Sequence, residues 1–282
     1  MPSSFAKPDL LASTAWLAEN HKRPSVRVLD CRWRVDGSGR REHAEGHIPG
    51  SVYIDWATDL VDAEDSLPYQ LAKPAAFAAA MLAVGVGDGM TVIVLDDTYS
   101  LYAARVWWSL QAYGIGAVRI LDGGWPAWLE SGEPISTSAT QIEPVAFSPN
   151  EIASRRVGAE EVREQLRSGS AQVIDARTPA EYLGQGGPGP RRGHIAGALN
   201  VPAALLVGEN SQAILAASSL NGLLGRAGVT RNHPLITYDS AGVGASKLAF
   251  CLELAGHAEV AVYDAGWADW AARDPEDYPV DS

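Results

Sequence analysis

Ile236-Thr237-Tyr238-Asp239-Ser240-Ala241-Gly242-Val243-Gly244-Ala245 is the stretch that decides the fold. It opens on a short apolar run, turns through two glycines and continues into a segment with helical character, Ala245–Ala255. A continuous apolar run, without polar alternation, belongs to a strand covered on both faces. Gly242 and Gly244 permit the close backbone approach that a tight strand-to-helix loop needs. Further runs of the same kind lie at Val26–Asp30, Val92–Asp96, Val118–Asp122, Val173–Asp175 and Val260–Asp264. Segments of helical character stand between them at Ala75–Val84 (after Pro74), Ala103–Tyr113 and Ala159–Arg167. Strand and helix in alternation give an α/β protein whose parallel sheets carry helices on both faces.

The pattern is written twice. Val28-Leu29-Asp30-Cys31-Arg32 recurs as Val173-Ile174-Asp175-Ala176-Arg177, an offset of 145 (175 − 30). Gly46-His47-Ile48-Pro49-Gly50 recurs as Gly193-His194-Ile195-Ala196-Gly197, an offset of 147 (194 − 47). Leu121-Asp122-Gly123-Gly124-Trp125 recurs as Tyr263-Asp264-Ala265-Gly266-Trp267, an offset of 142 (264 − 122). Preserved order with offsets drifting by loop lengths is the mark of a duplicated domain. The expected division is a domain over 13–133, a linker over 134–155 carrying Pro134, Pro144 and Pro149, and a second domain over 156–280.

The chain has 282 residues with 22 basic and 34 acidic side chains, a formal charge of -12 that disfavours nucleic acid or an anionic membrane as partner. Two cysteines, Cys31 and Cys251, make no disulfide framework and no metal spacing. The first ten residues lack the basic and apolar regions of a secretory signal, and no apolar run reaches the roughly 18 residues of a membrane span. The expectation is a cytoplasmic protein with no metal and no cofactor.

The loop resembles the active-site loop of the rhodanese family, the thiosulfate and 3-mercaptopyruvate sulfurtransferases, whose pattern is Tyr-Cys-x-x-Gly-Val-x-Ala. Tyr238, Gly242, Val243 and Ala245 match it, and Asp239 stands at the cysteine position. The resemblance implies two tandem rhodanese-like domains, each a doubly wound parallel sheet, with the first a non-catalytic copy. It also makes Asp239 to Ala245 the active-site loop, with Asp239 at the nucleophile position. In that family the loop N–H groups and a helix N-terminus hold an anionic sulfur. A carboxylate cannot carry a persulfide, and Ala241 and Gly244 lack the hydroxyls that mercaptopyruvate-type loops place there. The resemblance therefore implies a binding or regulatory pseudoenzyme, its partner a small sulfur-containing anion or a sulfur-carrier protein. Alternatives are sulfur transfer through Cys31 and, from a different class, a hydrolase with Asp239 as nucleophile. Arg177 and Arg192 are the candidate anion-binding cations, beside Arg191; relatives that take mercaptopyruvate often carry a further Arg where Glu181 stands. Bonding to the loop N–H groups is expected to depress the Asp239 pKa.

Overall fold

The computed structural model describes residues 4–208 and 211–282. In the first half lie strands β1 (Leu11–Ala12), β2 (Val26–Asp30), β3 (Val52–Tyr53), β4 (Thr91–Leu95) and β5 (Val118–Leu121). They alternate with helices α1 (Thr14–Asn20), α2 (Gly39–Glu45), α3 (Trp56–Asp59), α4 (Pro74–Val84), α5 (Leu101–Ala112) and α6 (Gly124–Glu130). In the second half lie β6 (Arg156–Val157), β7 (Gln172–Asp175), β8 (His194–Ile195), β9 (Leu199–Asn200), β10 (Leu235–Tyr238), β11 (Val260–Tyr263) and β12 (Val280–Asp281). The helices there are α7 (Ala159–Ser168), α8 (Pro179–Tyr182), α9 (Ala217–Arg226), α10 (Val243–Leu254) and α11 (Gly266–Trp270).

Each half builds one parallel five-stranded sheet, in the order β1-β5-β4-β2-β3 and then β6-β11-β10-β7-β9, so the same topology is laid down twice. The central strands β4 and β10 are the apolar runs, and both faces of each are covered. Antiparallel β8 and β12 pair apart from the second sheet. Residues 134–152, without regular helix or strand, run along the first domain, where Asn150 N–H bonds the Tyr113 carbonyl and Phe147 packs on Phe77.

Helices α5 and α10 begin two residues earlier than their sequence pattern suggests. Ser100 (φ 59°) and Gly242 (φ 83°) adopt left-handed conformations that turn the chain straight into the first helical turn. The two helices pack on each other across the domain boundary, with Trp107 edge-on to Phe250 at 5.1 Å between ring centroids. Their contact lies in an apolar cluster that spans both halves, while each half keeps a further cluster of its own. The boundary also holds an ion pair: Arg105 Nη1 of α5 lies 2.7 Å from Asp264 Oδ1 beyond β11, both side chains buried.

Candidate active site

Strand β10 ends at Asp239, and the turn that follows folds back on its carboxylate. Oδ1 accepts from the N–H groups of Ala241 at 3.1 Å and Gly242 at 2.5 Å, and Oδ2 accepts from Gly244 N–H at 2.7 Å. Gly242 is required: at φ 83°, a Cβ there would sit 2.5 Å from Asp264 Oδ1 and 2.8 Å from Arg105 Nη1. The loop is thus locked to the domain-bridging ion pair behind it. The first domain repeats the device, since Asp96 after β4 accepts from the N–H groups of Thr98, Ser100, Tyr102 and Ala103 at 2.8–3.0 Å.

Asp239 forms part of the wall of a pocket of about 780 Å³ between the domains. Ser240, Val243, Gly244 and Lys247 line it on one side, with Ala176, Arg177, Thr178 and Glu181 beyond them. The first domain contributes Thr98, Tyr99 and Leu101, and the segment 203–208 with Leu215 supplies the rest of a largely apolar wall. Of the loop residues singled out in the sequence, Ala241 and Gly242 act through their N–H groups, and Ala245 is buried in the core.

One expectation needs correction, the direction of the Asp239 pKa shift. Crowding by protein pushes the Asp239 carboxyl above the ordinary carboxylate range; the three N–H donors and Arg105 pull it back only in part. Arg177 reaches the pocket wall, but its guanidinium is committed. It is 4% exposed, pairs with Asp175 at 2.5 Å, donates to the Gly193 carbonyl at 2.8 Å and stacks over Trp267 at 4.3 Å. Arg32 does the same in the first domain with Asp30, Gly46 and Trp125, so the motif is a structural brace present in both copies. Arg192 is exposed, bonds the Gly187 carbonyl and does not line the pocket. Arg191 is likewise spent on the carbonyls of Ala271, Tyr278 and Trp270. His47 and His194 bond backbone carbonyls of His43 and Tyr182, holding turns. Glu181 caps α8 with Thr178.

Cys31 fares no better as a nucleophile. It is 0% exposed, and burial together with the carboxylates of Asp30 and Asp96 holds its thiol well above the usual range. Cys251 is equally buried, its thiol pushed up to about 12. A reactive cysteine needs access and a stabilised thiolate, and neither has them. Native protein is expected to leave both thiols unmodified by an aromatic disulfide reagent over hours at neutral pH, with two equivalents reacting on denaturation. Rapid stoichiometric labelling of Cys31 in the folded state would reopen its candidacy. Among the described residues no group of His, Cys, Asp and Glu is arranged to hold a metal ion, and no helix is long and apolar enough to cross a membrane.

Sequence reasoning missed Arg105, Asp264 and Lys247. The signal for Lys247 was present, as a single charge within the apolar run Leu248-Ala249-Phe250-Cys251-Leu252 and its preceding turn. Two sheets of one topology, and a strand–loop–helix cradle repeated in each, agree with comparison to known proteins. The profile of the "Rhodanese-like domain" family matches residues 13–131 and again residues 158–273. The chain belongs to the rhodanese family. It is 34% identical over 285 residues to the thiosulfate sulfurtransferase of Rattus norvegicus, covering 96% of this chain and 94% of that one. It is 33% identical over 277 residues to the 3-mercaptopyruvate sulfurtransferase of Escherichia coli K12, covering 94% and 95%. The crystal structure of the Escherichia coli 3-mercaptopyruvate sulfotransferase SseA superposes with a TM-score of 0.84 at 30% identity, covering 92% of this chain and 99% of that one.

Proposed function

We propose that this rhodanese-family protein has lost sulfur transfer and acts as a binding or regulatory pseudoenzyme. The observation that carries the proposal is the Asp239 carboxylate, seated on the N–H groups of Ala241, Gly242 and Gly244; the resemblance of Tyr238, Gly242, Val243 and Ala245 to the family pattern is what aligns Asp239 with the cysteine. Persulfide chemistry needs a thiolate at that point, and both thiols of the chain are buried away from it. Because the carboxylate fills the cradle, a free sulfur-containing anion would meet like charge and occupied donors there. This weighs toward a sulfur-carrier protein as the partner. Tyr99 and Leu205, 47% and 52% exposed at the pocket wall, offer such a protein apolar surface. A reading as a hydrolase with Asp239 as nucleophile gains no support, since both carboxylate oxygens are engaged by the backbone and residue 241 is alanine.

The test is thiocyanate formation from thiosulfate, and separately from 3-mercaptopyruvate, with cyanide as acceptor. The protein is expected to show no turnover above a protein-free control while an active relative turns over beside it. Turnover that survives Cys31→Ser and Cys251→Ser together would contradict the proposal outright, and turnover lost in Cys31→Ser alone would assign the reaction to Cys31.

A further inference from the structure

The first domain holds a cleft of about 590 Å³ that shares no lining residue with the pocket at Asp239. Helices α2 and α4 supply two of its walls and the linker residues 137–142 a third. The linker is fastened there: Thr140 Oγ1 donates to the Ser51 carbonyl at 2.8 Å, and His47 Nε2 lies 3.2 Å from the Ser138 carbonyl oxygen. These bonds hold the cleft preformed. One of its sides is apolar. Helix α4 has no polar side chain, yet its Ala75, Ala76, Ala79, Leu82 and Ala83 are exposed. A helix apolar all round is normally buried, and the equivalent helix of the second copy, α9, carries Ser218, Ser219, Asn221 and Arg226. Ala76, Ala80 and Ala83 line the cleft along about 10 Å of α4.

The other side is polar. Arg40 lies over the Tyr53 ring at 4.8 Å and pairs with no carboxylate among the described residues, whereas Arg34 and Arg41 pair with Glu42 and Glu45. His43 Nε2 is 3.3 Å from Ser51 Oγ, and burial lowers the His43 pKa to about 4, which leaves Arg40 as the exposed cation of the lining. The lining carboxylate, Asp59, accepts from Asp55 N–H at 2.9 Å and from the Thr58 hydroxyl at 3.4 Å. The duplication shows that the scaffold does not require this polar set. At the offset of 147 (194 − 47), Arg40, His43, Ser51 and Tyr53 correspond to Gly187, Pro190, Ala198 and Asn200. The sheet register agrees, with Tyr53 beside Asp30 and Asn200 beside Asp175. The turn-holding His47 and the brace Arg32, by contrast, recur as His194 and Arg177. We propose that this cleft binds a small carboxylate with an aliphatic tail, its carboxylate on Arg40 and its tail along Ala76, Ala80 and Ala83. A guanidinium offers a carboxylate two parallel N–H donors, and the tail and the exposed face of α4 leave water together. A cation with the same tail would meet the charge of Arg40, and an alcohol would forgo the charge-assisted bonds. The site is independent of any role of Asp239.

Full-length protein carrying ¹³C-labelled alanine methyls is titrated with octanoate at neutral pH and followed by NMR. The methyls of Ala76, Ala80 and Ala83 are expected to shift saturably with a Kd of about 1 mM or tighter, while those of Ala203 and Ala204 in the pocket at Asp239 stay in place. Arg40→Met, which keeps an unbranched stem without the charge, is expected to weaken octanoate at least about tenfold, the loss of one charge-assisted hydrogen bond, with the unfolding midpoint retained. Octanol is expected to bind the wild type more weakly than octanoate by a similar factor. The proposal is overturned if the three α4 methyls show no saturable shift, or if those of Ala203 and Ala204 shift in their place. It is equally overturned if Arg40→Met or octanol matches the affinity of wild type for octanoate. The comparison of octanoate with octanol decides the need for charge even if Arg40→Met fails to fold.

Discussion

If the wild type is inert as proposed, replacing Asp239 by cysteine is expected to yield a slow sulfurtransferase. The substitution removes the carboxylate that occupies the three N–H groups and leaves those donors, with the N-terminus of the 12-residue helix α10 behind them, facing a sulfur atom. Thiosulfate should then load the introduced thiol and cyanide should unload it, giving thiocyanate where the wild type gives none. The rate should still trail an active relative, because Ala241 and Gly244 bring no hydroxyl to the transferring sulfur. By analogy with oxyanion-hole deletions, each missing donor costs about 10²-fold. Adding Ala241→Ser and Gly244→Thr to the cysteine variant should recover part of that loss. Gly244→Thr alone should instead destabilise the wild type, since a Cβ at Gly244 would lie 2.9 Å from Asp239 Oδ2. A folded triple variant with no turnover would mean that Asp239 is not what silences the loop.

The second large effect concerns stability. Arg105→Ala is expected to cost about 3–5 kcal/mol, the usual penalty for orphaning one member of a buried ion pair. Arg105 is 1% exposed, donates to Asp264 Oδ1, Gly242 O and Tyr69 O, and stacks on Trp108 at 4.5 Å. Its removal leaves Asp264 with the Leu71 N–H and a half-buried Arg156 at 3.3 Å. The urea midpoint should fall by about 1 M or more. Converting both partners, Arg105→Met with Asp264→Leu, should restore much of the loss, because the desolvation penalty then disappears with the charges. A single-variant loss below about 1 kcal/mol, the range of an exposed pair, would show that Arg156 takes over and that the domains do not depend on this bridge.

Strand Val26–Asp30 was legible in the sequence to the residue, because a strand largely buried on both faces leaves a mostly apolar run, here broken only by Arg27 before it closes on Asp30. The duplication was legible for a related reason: the Asp-x-Arg strand end and the Gly-Trp turn brace each sheet in the same way in both copies. The starts of α5 and α10 were less so, since a left-handed Ser100 carries no local signature. The resemblance implies that Asp239 faces a cradle of N–H groups but not how much protein crowds it. That crowding is set by the folded chain around it, and it reverses the direction of the pKa shift. Arg177 sits two residues from Asp175, so their pairing could be suspected from spacing alone. The pairing of Arg105 with Asp264 spans 159 residues and could not.

The most direct test of the central claim is the intact mass of the wild-type protein after exposure to thiosulfate or 3-mercaptopyruvate, with no acceptor present. A rhodanese-type enzyme stores the transferred sulfur as a persulfide, so an active chain must gain one sulfur atom at a cysteine. The expected result is an unchanged mass, while Asp239→Cys, treated alongside, gains one sulfur at residue 239. A wild-type chain that gains one sulfur atom, mapped to Cys31 or Cys251, would contradict the proposal that this member of the family does not transfer sulfur.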